Sequence, residues 1–210
     1  MSISEADRLR GPARWTSKEL ARGVDRYRRY LTLFGLDEDS CTGQAVCHLG
    51  CGPLGGVLAV LRHVGRSFRV DGDADQFPAL SRSKHAVLSL SRRTGQSPVP
   101  AGCCDVVFCL GATGGTTRWY AVEAEARRMC RLGGVVYLWW RPAEDYWQQA
   151  TGRTSAKWRK TGGLTVDRMR RIFRERDWIW GPVSSGVDLP NLYPAIAARW
   201  ARLQRSADSP

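Results

Sequence analysis

Short, wholly apolar runs alternate along the chain with stretches of helical period. In residues 17–35, Leu20, Val24, Tyr27, Leu31 and Phe34 recur at three- and four-residue steps, which makes one side of a helix apolar, and Gly35 supplies its stop. Residues 44–50 (QAVCHLG) read as a buried strand entering a glycine-rich turn, CGPLGG, and VLAVLRHVG then reads as a helix closed by Gly65. A second strand, SFRV, stops at Asp71; DGDADQFPALSRSK gives a turn and a helix, and AVLSL a third strand. CDVVFCL is an all-apolar fourth strand, WYAVEAEARRMCRL a helix behind it, and GGVVYLWW a fifth strand. Buried strands alternating with helices predict an α/β fold, a parallel sheet covered on both faces.

The end of the chain changes character. Residues 141–163 are polar and without period, and read as a loop or short helix beside a site. Thr165 then caps a helix whose buried stripe is Met169, Ile172 and Phe173, with Asp167 at the positive end of its dipole. WIWGPV reads as a sixth strand and LYPAIAARW as a seventh, where Pro194 points to an edge or bulge. No repeat or composition shift divides the 210 residues, so one domain is expected: a helical cap over 1–39, a core over 40–200 and a frayed tail over 201–210.

Composition narrows the class. With 43% hydrophobic and 25% charged residues, the chain can bury a core, and collagen-like, coiled-coil and disordered readings fall away. The N-terminus has no apolar leader, and no apolar run approaches the roughly 18 residues of a membrane span, so a cytoplasmic protein with no membrane partner is expected. Seven cysteines are an odd number, several of them inside strand-like runs, and read as reduced and buried. Cys47, His48 and Cys51 lack a second CxxC or HxxxH to complete four ligands, so no metal is expected.

Chemistry starts at the first glycine turn. Gly50, Gly52 and Gly55 stand as G-x-G-x-x-G after a strand and before an expected helix, where missing Cβ atoms let backbone approach a ligand. Asp71 ends the next strand, where a carboxylate can accept both hydroxyls of a ribose. Together these point to an adenosine-containing ligand; a tight turn that binds nothing is the bland alternative.

The same stretch, VCHLGCGPLGG, resembles the first motif of the class I methyltransferases that use S-adenosylmethionine, in particular the small type-11-like domain. The resemblance continues in order through VDGDAD, PVPAGCCDVVFCLG, ARRMCRLGGVVYLWW and GLTVDRMRRIFRERDW, and covers about residues 40–200. It implies a seven-stranded Rossmann-like sheet, mostly parallel with an antiparallel last strand and helices on both faces. It implies S-adenosylmethionine as cofactor, contacted by the backbone of Gly50, Cys51, Gly52 and Gly55, with Asp71 on the ribose and Asp73 sharing that role. Cys109 and Leu110 would flank the transferred methyl.

Two departures accompany the resemblance. The aspartate of the first motif is His48 here, an imidazole in place of a carboxylate near the cofactor's ammonium. After the third strand, where the family often carries an acid, stand Ser91, Arg92, Arg93 and Thr94. Should the acceptor need a proton removed, His48 is the first candidate base by motif position; the other reading is an orienting hydrogen bond. The family builds its acceptor pocket from the N-terminal helix and the segments after the fourth and fifth strands, which here hold Tyr27, Tyr30, Thr113, Trp119, Trp140, Arg141 and Tyr146.

Lysine and arginine number 32 against 20 acids, a net charge of +12, which first suggests an anionic partner. Residues 151–176 hold nine of the basic side chains against Asp167 and Glu175, with Trp158 among them. Such a face suits RNA, or is the solvated side of an arginine-rich helix. The signatures of DNA amino- and cytosine-C5 methylation are absent. The expectation is a methyltransferase acting on a small-molecule acceptor, an aromatic or specialised natural-product metabolite. RNA is the alternative acceptor, and a catalytically silent scaffold of the same fold is the reading from another class.

Overall fold

A computed structural model of the chain describes residues 17–51, 56–71, 86–89, 97–110, 116–140, 164–187 and 197–207. Its sheet comprises β1 (Ala45–Leu49), β2 (Arg66–Asp71), β3 (Ala86–Ser89), β4 (Cys104–Leu110), β5 (Cys130–Trp140), β6 (Trp178–Val187) and β7 (Ala197–Arg205), in the order β3-β2-β1-β4-β5-β7-β6. The first five strands pair in parallel, and β7 runs antiparallel to both β5 and β6. The strand order reverses direction between β1 and β4, where open α/β sheets leave a crevice at the carboxyl ends of the strands.

Period-two alternation divides the sheet residues between two cores. Cys47, Leu49, Val107, Cys109, Val136, Leu138 and Trp140 face α2 (Thr116–Met129) and α3 (Val166–Ile172), where Trp119, Ala126, Met129, Met169 and Ile172 meet them. Val46, Val106, Phe108, Leu110, Tyr137 and Trp139 face the opposite way, onto α1 (Ser17–Leu33) and a 3-10 turn (Gly56–Ala59). Val24, Tyr27, Leu31 and Phe34 supply the α1 contact that their spacing predicts. Each such side chain, fully buried, contributes about 1.5–3 kcal/mol by removal from water. At α3 the Arg168 N–H donates to Thr165 Oγ1 at 3.2 Å, so the expected cap is formed, and Phe173 joins the buried stripe.

Three sequence expectations shift. The helix expected over VLAVLRHVG is only the 3-10 turn Gly56–Ala59. Its backbone is taken elsewhere: the Arg62 N–H donates to the Glu38 carbonyl at 2.7 Å, the Gly65 N–H to the Gln44 carbonyl at 2.9 Å, and His63 turns to a φ of 53°. Strand β5 begins at Cys130, because Cys130 already pairs with Cys104 across an irregular register. The tail expected over 201–210 is strand through Arg205: β7 lies between β5 and β6, with Ala201 and Leu203 buried, and the Arg205 guanidinium donates to the Cys130 carbonyl. β7 is thus internal and β6 forms this edge of the sheet, its register shifting between Trp180 and Val183, around Pro182; the edge or bulge read at Pro194 lies outside the described residues. Among the described residues no helix is long and apolar enough to cross a membrane.

Candidate functional site

Strand β1 delivers its carboxyl end between β2 and β4, and Gly50 turns the chain there with a φ of 73°. A positive φ costs glycine nothing and most other residues appreciably, which is why this turn calls for glycine. The Gly50 N–H donates to the Val70 carbonyl at 2.7 Å and the Cys51 N–H to the same oxygen at 3.4 Å. This fixes the start of the glycine-rich loop beside the end of β2, where Asp71 stands in register with Ser89. The backbone thus brings Gly50, Cys51 and Asp71 together. Gly52, Gly55 and Asp73 lie outside the described residues, as do Thr113, Arg141 and Tyr146.

His48 is buried beneath this turn. Its Nδ1 accepts a hydrogen bond from the Val57 N–H at 3.0 Å, which holds the far side of the loop. Gly56 makes that approach geometrically feasible: it adopts a φ of 65°, and a Cβ built on it would stand 1.8 Å from His48 Nδ1. The sequence reading missed Gly56, although its signal, the second glycine of Gly55-Gly56, was in view. Burial, assisted by the charge of Arg69, pushes the His48 imidazole down to about 3. With its acceptor nitrogen occupied and its basicity suppressed, His48 is placed as an orienting hydrogen-bond acceptor, and the general-base role is not what this geometry favours.

Tyr27 reaches the same loop from α1. Its O–H donates to the Cys51 carbonyl at 3.4 Å, and its ring meets the His48 ring edge-on with centroids 6.2 Å apart. The other aromatic candidates lie deeper. Tyr30 is buried against Trp139 with ring centroids 5.1 Å apart. Trp119 is fully buried and meets Phe173 at 6.4 Å, and Trp140 is fully buried with its indole N–H donating to the Leu164 carbonyl at 3.0 Å. These three pack in the core; an apolar ring at a strand end or on a helix serves packing as readily as recognition.

Cys109 and Leu110 end β4 beside Leu49 and Trp139 respectively. Their side chains are buried on opposite faces, and burial pushes the Cys109 thiol far above its usual range, so it is neutral packing. Of the basic stretch, Arg170, Arg171, Arg174 and Arg176 are exposed. Arg170 lies 3.9 Å from Glu175 and over the Trp180 ring, and Arg176 lies 3.5 Å from Asp177, so part of that charge is engaged locally.

No protein-family profile and no curated protein sequence matches the chain. Solved structures do. An S-adenosylmethionine-dependent methyltransferase of Methanosarcina mazei is 10% identical over 83% of this chain and 97% of its own, with a TM-score of 0.62. The N-methyltransferase NodS of Bradyrhizobium japonicum is 13% identical over 90% of this chain and 98% of its own, with a TM-score of 0.55. A structure describing the conversion of a disulfide bond into a thioacetal group during echinomycin biosynthesis is 19% identical over 86% and 82%, with a TM-score of 0.58. At such identities the likeness concerns the fold: the chain has the α/β fold of the class I methyltransferases.

Proposed function

We propose that the chain is an S-adenosylmethionine-dependent methyltransferase acting on a small-molecule acceptor, an aromatic or specialised metabolite. The observation that carries the reading is the left-handed Gly50 turn, hydrogen-bonded to the last residues of β2 at the point where the strand order reverses. That arrangement fits an adenosylated ligand: the glycine turn, with no Cβ at Gly50, at one side, and the Asp71 position at the other. When bound, the cofactor supplies an electrophilic methyl group. The chain's own residues hold and align. Gly50 and Cys51 offer backbone contacts, Asp71 accepts the ribose hydroxyls, and Tyr27 and His48 fix the loop from beneath. Positioning of this kind can supply roughly 7–11 kcal/mol of the barrier. The likeness to NodS and to the echinomycin-pathway structure supports a small-molecule acceptor.

The test is isothermal calorimetry with S-adenosylhomocysteine on the full chain. Micromolar binding that Asp71→Ala abolishes, with melting behaviour unchanged, supports the assignment; unchanged affinity in Asp71→Ala removes Asp71 from the ribose. No binding at all favours a catalytically silent scaffold. The exposed arginines of α3 support a second acceptor class, RNA, which retention on an RNA column that weakens steeply with salt would favour.

A further inference from the structure

Arg69 is the register partner of His48, on β2 beside β1, one position before β1 ends and two before β2 ends. Arg69 is 7% and His48 1% exposed, and among the described residues neither Arg69 Nε nor His48 Nε2 has a hydrogen-bond partner. Among the described side chains no carboxylate pairs with Arg69; burial depresses its basicity, and the Cys51 thiol in the glycine turn is a neighbour that raises it. A buried guanidinium without a counterion is strongly unfavourable, and so is a buried N–H without an acceptor. Since Nδ1 of His48 accepts from Val57, the proton of the neutral ring sits on Nε2. The two side chains therefore present donors only, with one positive charge between them, at the end of the sheet where the glycine loop begins.

We propose that His48 and Arg69 form an anion subsite that receives the carboxylate at the amino-acid end of the bound cofactor. This rests on the methyltransferase reading and deepens it. A single guanidinium beside a neutral imidazole balances a monoanion; a phosphate dianion would leave a net negative charge buried. The carboxylate is the only anionic group of S-adenosylmethionine and S-adenosylhomocysteine. Where an acid at position 48 would meet the ammonium, this chain meets the other end of the same zwitterion.

Calorimetry on the full chain with S-adenosylhomocysteine and with its decarboxylated analogue, 5′-deoxy-5′-(3-aminopropylthio)adenosine, tests the proposal. The wild type should bind the analogue roughly 10- to 100-fold more weakly, the scale of a charge-assisted contact. Arg69→Met should bind both ligands equally and melt no lower than the wild type, since it removes an unpaired buried charge, and Arg69→Lys should restore the preference. Equal binding of the two ligands by the wild type overturns the subsite while leaving the methyltransferase reading intact; this comparison needs no variant. A preference that survives in Arg69→Met also overturns it. Failure of both ligands to bind the wild type takes down the methyltransferase reading together with the subsite.

Discussion

His48 Nδ1 accepts the Val57 N–H at 3.0 Å, so a side chain of β1 holds the return of the glycine loop from below. The bond needs an unprotonated ring, and burial with the nearby Arg69 charge lowers the imidazole to about 3. The sign of the consequence follows. Above the unfolded value of about 6.5 both states carry a neutral ring and stability does not depend on it. Below that, the unfolded chain binds the proton first, and stability falls by about 1.4 kcal/mol per pH unit until the folded ring itself titrates. Urea unfolding between pH 7.5 and 5 should show this slope in the wild type, and His48→Asn should lose that share of it. Equal slopes in both proteins would mean that His48 is protonated in the fold.

Gly56 stands against the same ring. Gly56→Ala would force a side chain into a φ of 65° and place Cβ 1.8 Å from His48 Nδ1. Both effects oppose the native loop, and together they should cost about 3 kcal/mol or more in chemical denaturation. Part of this cost is the clash, so His48→Ala and Gly56→Ala should be coupled by at least about 1 kcal/mol in a double-mutant cycle. Additive effects would place the ring away from the glycine.

How much of this was readable in the sequence depends on what set each element. The strands of the parallel sheet were legible because apolar runs such as CDVVFCL have few alternatives once buried on both faces. The cap at Thr165 was legible because its side chain acts locally. The helix after the glycine turn was misread because non-local acceptors, the Glu38 and Gln44 carbonyls, take its backbone donors. The tail was misread for a similar reason: RLQR looks polar, yet β7 inserts between two partners and needs only Ala201 and Leu203 to be apolar. At the site, the glycine–aspartate spacing carried its own signal. The burial of Trp119 and Trp140 did not, since a tryptophan in a pocket and one in a core have the same local sequence.

Glu125 organises the entrance to β4. Its Oε1 accepts from the Ser97 N–H at 2.7 Å and from the Arg128 guanidinium at 2.7 Å, while Oε2 accepts from Arg128 Nε at 2.8 Å. Burial alone would raise its carboxyl, but the hydrogen bonds from Arg128 and Ser97 outweigh it and the net shift is downward. The stabilisation is thus present above the unfolded carboxylate range and is lost as pH falls through the lower folded value. Glu125→Ala should destabilise by about 3 kcal/mol, because it leaves the Ser97 donors and the Arg128 charge without their acceptor. Thermal melts at pH 7 should show the loss, and the difference from wild type should shrink at pH 3. A constant difference across that range would mean that the carboxylate charge contributes nothing.

Cys103 is the one thiol of the seven that is not buried, and its Sγ lies 3.6 Å from that of Cys104. Burial of the group, and then the neighbouring Cys104, push the Cys103 thiol up to about 11. Alkylation requires the thiolate, so accessibility and basicity act in opposition here. Native protein treated with iodoacetamide at pH 8 should gain at most one adduct, on Cys103, and slowly. The rate should rise about tenfold per pH unit toward pH 10, in step with the thiolate fraction. Peptide mapping after a short exposure separates the outcomes: a single modified Cys103 fits this packing, whereas comparable modification of Cys47, Cys104 or Cys109 would show that the core beneath α2 opens on the time scale of the reaction.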